Sequence, residues 1–358
     1  MNIYRPSGRP RGQMIVLFAL VLTALVLVIG LIVDGGNALA QRRASQNAAD
    51  FAALAGARIV AFKVSGDTLN GTDANVQSSI TNAVVANGGT APSYGAPTGP
   101  RYIDDNGALL GYVGSGMPAT ASGVKVWADR TWTPFFVGMI GINSWTASAE
   151  ATATGGYCVG CAPLPGSLFP AGISTSFFQT YPFCSGPISA DPTDPCYPQH
   201  LTPGNLNVPG GFGWLKFGCD GYGLGQDPPA NIGGCRNDKP FLQDEIGPPS
   251  NSYGCCTVVG LPGSLDRIGS LPGNKSSADC SYYIDNEITV TVPIWDTAGG
   301  TGQNAWYHIV GFAGFQITEC EGGKDIEGVW RKAFFTGPTT STPSTPGVPE
   351  PLGVQLVR

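Results

Sequence analysis

The sequence predicts an α+β protein carried on a single membrane helix, and three observations lead there. A twenty-residue run without charge lies near the N-terminus. Helix-compatible and alternating stretches follow one another up to about residue 154. After that the chain fills with cysteine, glycine and proline. The expected architecture is a transmembrane helix extended into a stalk, a helix-backed antiparallel sheet, and a disulfide-rich, mostly β exterior domain. The expected divisions are a basic segment at 1–13, the span at 14–33, an α+β region at 34–154, the Cys/Gly/Pro-rich domain at 155–336 and a tail at 337–358.

The span is MIVLFALVLTALVLVIGLIV, from Met14 to Val33, interrupted only by Thr23 and Gly30. At 1.5 Å per residue it covers roughly 30 Å, the thickness of a bilayer's hydrocarbon core. Arg5, Arg9 and Arg11 precede it and Asp34 ends it. The positive-inside bias therefore keeps the N-terminus cytoplasmic and exports the rest, and Arg42 and Arg43 weaken that bias without reversing it. The expected location is the cytoplasmic membrane, crossed once. A cleaved secretory signal is the competing reading, with Ala38-Leu39-Ala40 as its cleavage site. Such signals have apolar stretches of only about 7–15 residues, so a retained anchor fits better.

From Gly36 to Phe62 there is no proline and alanine abounds, so the helix should continue outward, with Gly35-Gly36 as a place to bend. Gly36, Ala40, Ala44, Ala48, Ala52 and Gly56 recur every fourth residue as a small-residue ridge. Close packing against a partner helix becomes possible there; the plainer alternative is packing on the protein's own domain. Residues 67–89 are expected as a second helix, with Val76, Ile80 and Val84 on one face and Asn87-Gly88-Gly89 as its stop. RYIDDNGALLGYV reads as a hairpin turning at Asp105-Asn106-Gly107. Val124, Val126 and Ala128 alternate as a strand, TPFFVGMIG gives a short apolar helical turn, and Trp145 to Ala153 alternate again.

A boundary is expected at Gly155-Gly156. The ten cysteines, Cys158, Cys161, Cys184, Cys196, Cys219, Cys235, Cys255, Cys256, Cys280 and Cys320, all lie beyond it. Behind a membrane helix they read as up to five disulfides, which would staple a glycine-rich segment that has little apolar periodicity. EITVTVPIW, AWYHIVGFAGFQITE and DIEGVWRKAFF are expected as strands of a terminal sheet. The Ser/Thr/Pro-rich stretch that opens the tail predicts a disordered spacer over 337–358.

Residues 1–63 carry seven Lys/Arg against two acids, so the remainder stands at −11 of the total −6. An acidic exterior excludes nucleic acid as a partner, because phosphates need clustered Lys and Arg. No cofactor or metal site is expected. His200 and His308 are the only imidazoles, and neither HExxH nor GxSxG occurs. Asp104-Asp105-Asn106 is better read as a turn than as a Ca²⁺ site, and Cys158-x-x-Cys161 as structural rather than redox-active. Trp306 to Val310 alternate as core-forming strand.

RGQMIVLFAL, VDGGNALAQRR and QNAADFAALAGAR, taken as one block from Arg11 to Arg58, resemble the TadG-like proteins of the Flp (tight adherence, Tad) pilus apparatus. KVWADRTWTPFFVGMIGINSWTASAEATA is similar to the close of the same region. Related pseudopilins are cleaved after a glycine that is followed, five residues on, by glutamate. Here Gly12 is followed by Leu17 at that place, which favours an uncleaved anchor. The resemblance implies a non-catalytic role in assembling or anchoring a pilus, with the lipid bilayer and other Tad/Flp components or minor pilins as partners of the N-terminal helix. The D-x-S-x-S pattern of an appended adhesive metal domain is absent. An independent adhesin that borrows a pilin-like anchor is the alternative.

Overall fold

A computed structural model describes residues 13–95, 97–158, 169, 171–175, 183–201, 215–216, 267–270, 280–300, 306–321, 325–343 and 352–357. Helix α1 runs unbroken from Gln13 to Val64, 52 residues. The pair Gly35-Gly36 stays helical. A Cβ added to either glycine would meet nothing within 4 Å. Helix α2 spans Asp73–Ala86. The Thr72 hydroxyl caps it by accepting the Asn75 N–H, and Gly88 at φ 72° ends it.

The first sheet is built by β1 (Arg101–Ile103), β2 (Leu109–Tyr112), β3 (Gly123–Trp132) and β4 (Trp145–Cys158). The turn between β1 and β2 forms as expected. Asp104 accepts the N–H groups of Asn106 and Ala108, and Gly107 takes φ 78°. A short 3₁₀ turn, Val137–Ile140, lies at the tip of the long β3–β4 hairpin, whose register runs from Gly123 opposite Thr154 to Trp132 opposite Trp145.

Helix α1 lies on this sheet through Ala48, Ala49, Ala52, Ala53, Ala57 and Val60. They meet Val76, Ile80 and Val84 of α2 and the alternating Val124, Val126, Ala128, Ala151 and Ala153 of the sheet. Alanine on both sides lets helix and sheet backbones approach closely, and each buried methyl contributes about 0.8 kcal/mol.

Three expectations change here. Strand β4 continues straight through Gly155-Gly156, past the expected boundary. A Cβ on Gly155 would run into the Ala57 carbonyl oxygen of α1, and one on Gly156 into the Thr340 carbonyl oxygen. The glycines are needed for close approach. Next, DIEGVWRKAFF is two strands belonging to different sheets. Finally, the tail at 337–358 is not a spacer throughout: β13 (Thr339–Thr340) and β14 (Leu352–Val357) join the first sheet, as does β12 (Phe334–Thr336) just before it, and the order is β12-β14-β4-β3-β1-β2 with β13 also on β4. Leu352, Val354 and Leu356 alternate, and Leu352 is buried. The chain thus leaves the first sheet after β4 and returns to it at β12.

The second sheet lies between those points in sequence. Its main path is β5 (Ile173–Ser174), β9 (Thr289–Gly299), β10 (Trp306–Glu321), β11 (Asp325–Arg331) and β6 (Gln199–Leu201). Strands β7 (Leu215–Lys216) and β8 (Arg267–Ser270) attach beside β10. Helix α3 (Ser281–Asp285) precedes β9. Phe169, Tyr283, Val290, Val292, Ile294, Phe315 and Trp330 are among the buried core residues. In β10, Tyr307 and Ile309 are buried while Trp306, His308 and Val310 are half-buried, as strand alternation requires.

Disulfides join Cys184 to Cys196 and Cys280 to Cys320, and Cys158 is also disulfide-bonded. Cys161, Cys219, Cys235, Cys255 and Cys256 lie outside the described residues, as do residues 1–12.

Candidate functional site

Helix α1 is long and apolar enough to cross a membrane. Between Met14 and Val33 almost every side chain faces outward, Leu31 being 73% and Phe18 68% exposed; Gly30 is the buried exception. Such a continuous apolar surface is far larger than soluble monomers expose.

At the end of this span the domain grips the helix. The Asp34 carboxylate is inaccessible to solvent and accepts three consecutive backbone N–H groups, those of Phe135 (2.7 Å), Phe136 (2.9 Å) and Val137 (2.8 Å). Three N–H bonds to a carboxylate offset the cost of burying it. One turn earlier, Phe136 lies on Gly30 so closely that a Cβ there would sit 2.8 Å from the Phe136 Cβ. Farther out, the Ser45 hydroxyl donates to the Ala147 carbonyl (3.0 Å) and the Gln46 amide to that of Glu150 (3.2 Å). Strand β4 therefore runs along the stalk, and the hairpin tip points at the span. The sequence marked Asp34 only as the end of an apolar run. Its partners lie about a hundred residues away, and no local pattern announces them.

The small-residue ridge divides. Gly36 and Ala40 are exposed, Ala44 is half-buried, and Ala48, Ala52 and Gly56 are buried against the first sheet and α2. A Cβ on Gly56 would meet Val124 at 2.9 Å and Ile80 at 3.0 Å. A four-residue step turns a helix by about 400°, so the ridge rotates roughly 40° per step. Over five steps it swings from the solvent side to the domain side. Leu39 (66%) and Phe51 (57%) stand exposed on the stalk.

Where α1 ends, a cleft of about 500 Å³ opens between it, the 67–72 turn with the start of α2, β12 and the second sheet. Arg58 lies over the Phe334 ring at 4.6 Å, and Phe62 meets that ring edge-on. Asp67 accepts the Asn70 N–H (3.0 Å) and the Ser185 hydroxyl (2.7 Å). Arg331 donates to the carbonyls of Cys184 and Gly186, and Lys332 to Ser65. For Asp67, burial is again outweighed, here by hydrogen bonds and the nearby Lys332 cation, so its carboxyl titrates low. Burial pushes Lys332 down, and Asp67 partly restores it. These groups satisfy one another and tie the two sheets to the stalk.

The two histidines do not meet in one site. His308 contacts Asp296 (2.7 Å) on β9, and His200 contacts Glu327 (3.3 Å) on β11. Among the described residues no three His, Cys, Asp or Glu side chains converge as metal ligands.

Residues 12–58, the span and most of the stalk, match the family described as putative Flp pilus-assembly TadE/G-like. No curated protein and no solved structure matches the chain. The match falls on the block from which the resemblance was read. The chain therefore carries a TadE/G-like segment of the Flp pilus-assembly type on a membrane-capable helix.

Proposed function

We propose that this protein is a single-pass component of the cytoplasmic membrane that assembles or anchors a Tad/Flp-type pilus through helix packing, with its domains outside the cytoplasm and without catalysis of its own. The observation that carries the reading is the exposed face of α1. Its TadE/G-like segment leaves the span apart from Gly30, together with Gly36, Leu39 and Ala40, uncovered by the protein's own domain. Small residues there allow another Tad component or minor pilin to approach closely. Retention of the helix is supported by the Asp34 grip, because cleavage after Ala40 would cut α1 and discard the acceptor that holds Phe135 to Val137. Disulfides beyond the span support export of the C-terminal part.

The test places a photo-cross-linking residue at Leu39, Ala40 or Ala52 of the full chain in its native membrane, alongside deletion of the gene. Cross-links to Tad pilus components at 39 and 40, their absence at the buried 52, and loss or detachment of pili are expected. Normal pili after deletion would remove the assembly reading and favour an independent adhesin on a pilin-like anchor. The ridge position Ala48 is unsuitable as a probe, since Ala48→Leu would disrupt the protein's own core.

A further inference from the structure

The β3–β4 hairpin tip lies deeper than an exterior loop should. Phe136 packs on Gly30, three residues inside the last apolar residue of the span, Val33, which is roughly 4.5 Å toward the bilayer centre. Any membrane that covers Leu31 (73% exposed) must also reach this loop. Beside Phe136, the loop turns Phe135 (65% exposed) and Ile142 (44% exposed) outward.

Backbone at such a depth is tolerated only where its N–H groups find internal partners. They do. Asp34 takes those of Phe135, Phe136 and Val137, the Gly138 carbonyl takes that of Gly141, and the Val137 carbonyl that of Ile142 (3.4 Å). At the neck of the hairpin stand Trp132 and Trp145, directly paired across the strands and packed edge to face at 6.1 Å. The Trp132 Nε1 is buried, so Trp145 is the member of the pair that can offer the apolar body and polar N–H favoured at the headgroup level of a bilayer.

We infer that the hairpin tip Phe135–Ile142 is a second, lipid-contacting element that enters the bilayer interface beside the span and fixes the rotation of the exterior domain about it. The inference rests on the single-pass reading of α1.

The test introduces p-benzoylphenylalanine at 135 or 142 of the full chain, with position 31 as a span control and Leu109, exposed on β2 of the exterior sheet, as an exterior control. Each variant is reconstituted in phosphatidylethanolamine/phosphatidylglycerol vesicles, its unfolding temperature is compared with wild type, and lipid adducts are read by mass spectrometry after irradiation. Adducts at 135 and 142 within about threefold of those at 31, and at least tenfold above 109, are expected. Adducts at 31 with only the 109 level at both 135 and 142 would overturn the inference while leaving the anchor intact. Protein-only adducts at 135 and 142, from a second copy, would overturn it equally. Absence of lipid adducts at 31 would overturn the anchor reading, and this inference with it.

Discussion

Three glycines on the stalk and its contact strand test how tightly α1 is bound to the sheet, because the same change, Gly→Ala, meets three different surroundings. At Gly36 an added methyl meets nothing within 4 Å. Only the helix-propensity gain remains, about 1 kcal/mol. At Gly56 the same gain opposes contacts at 2.9 Å to Val124 and 3.0 Å to Ile80, which are side-chain tips that can give a few tenths of an ångström. Overpacking of that kind costs about 1–3 kcal/mol, so the net change falls between roughly zero and a loss of 2 kcal/mol. At Gly155 the methyl runs into a backbone carbonyl, Ala57 O, well inside the ~3.3 Å at which carbon and carbonyl oxygen normally touch. No rotamer relieves that clash. Strand β4 must instead back away from α1, and a gap of 0.5–1 Å forfeits a quarter to a half of each contact along the alanine face. A loss of about 3 kcal/mol or more follows. Tryptophan-fluorescence thermal unfolding of the full chain in detergent should rank the variants Gly36→Ala above wild type, then Gly56→Ala, then Gly155→Ala. If Gly155→Ala unfolds within about 1 °C of wild type, the close packing of α1 on β4 is refuted.

Leu352→Ala should cost about 2–5 kcal/mol although it lies in the tail, since Leu352 is 1% exposed in a strand paired with β4; chemical denaturation of the purified chain reads it. Opening Cys280–Cys320, which spans 40 residues, should destabilise by about 4 kcal/mol, and opening Cys184–Cys196, which spans 12, by about 3 kcal/mol, read as Cys→Ser pairs in the same assay. Asp67, with its carboxyl depressed in the folded state, contributes stability that is fully present above about pH 4 and is lost as pH falls through its folded value. Asp67→Asn should therefore lower stability by about 1–3 kcal/mol at pH 7, where Lys332 loses its counter-charge, and by clearly less at pH 3. An equal effect at both pH values would contradict the charge-based account of the joint.

Elements whose signal is local were legible in the sequence. The apolar run and the alanine-rich continuation define α1, Val76, Ile80 and Val84 with the stop at Asn87-Gly88 mark α2, though it starts at Asp73 and not at 67, and Val124, Val126 and Ala128 mark β3 by alternation. What escaped is what depends on distant partners. Gly155-Gly156 reads as a boundary because glycine breaks local patterns, yet both residues are required by backbone neighbours in α1 and β13. The tail hid a strand because its Ser/Thr/Pro composition outweighed the short alternation of Leu352, Val354 and Leu356. Asp34 was visible only as the end of a hydrophobic stretch, and the three N–H groups it accepts lie about a hundred residues downstream.

The ridge links these scales. A four-residue repeat does not keep small residues in one line along the helix but rotates them by roughly 40° per step. Followed outward from the membrane, that rotation carries the smooth face from Gly36, opposite the Asp34 grip, round to Ala48, Ala52 and Gly56, where the first sheet and α2 cover it. The same repeat can therefore serve two surfaces in succession, an open one beside the membrane and a closed one inside the domain. A partner helix following the ridge must leave it near Ala44, because beyond that point the protein's own core occupies the groove. The surface left to it is the span and the first two turns of the stalk, which lie within the segment that matches the TadE/G-like family.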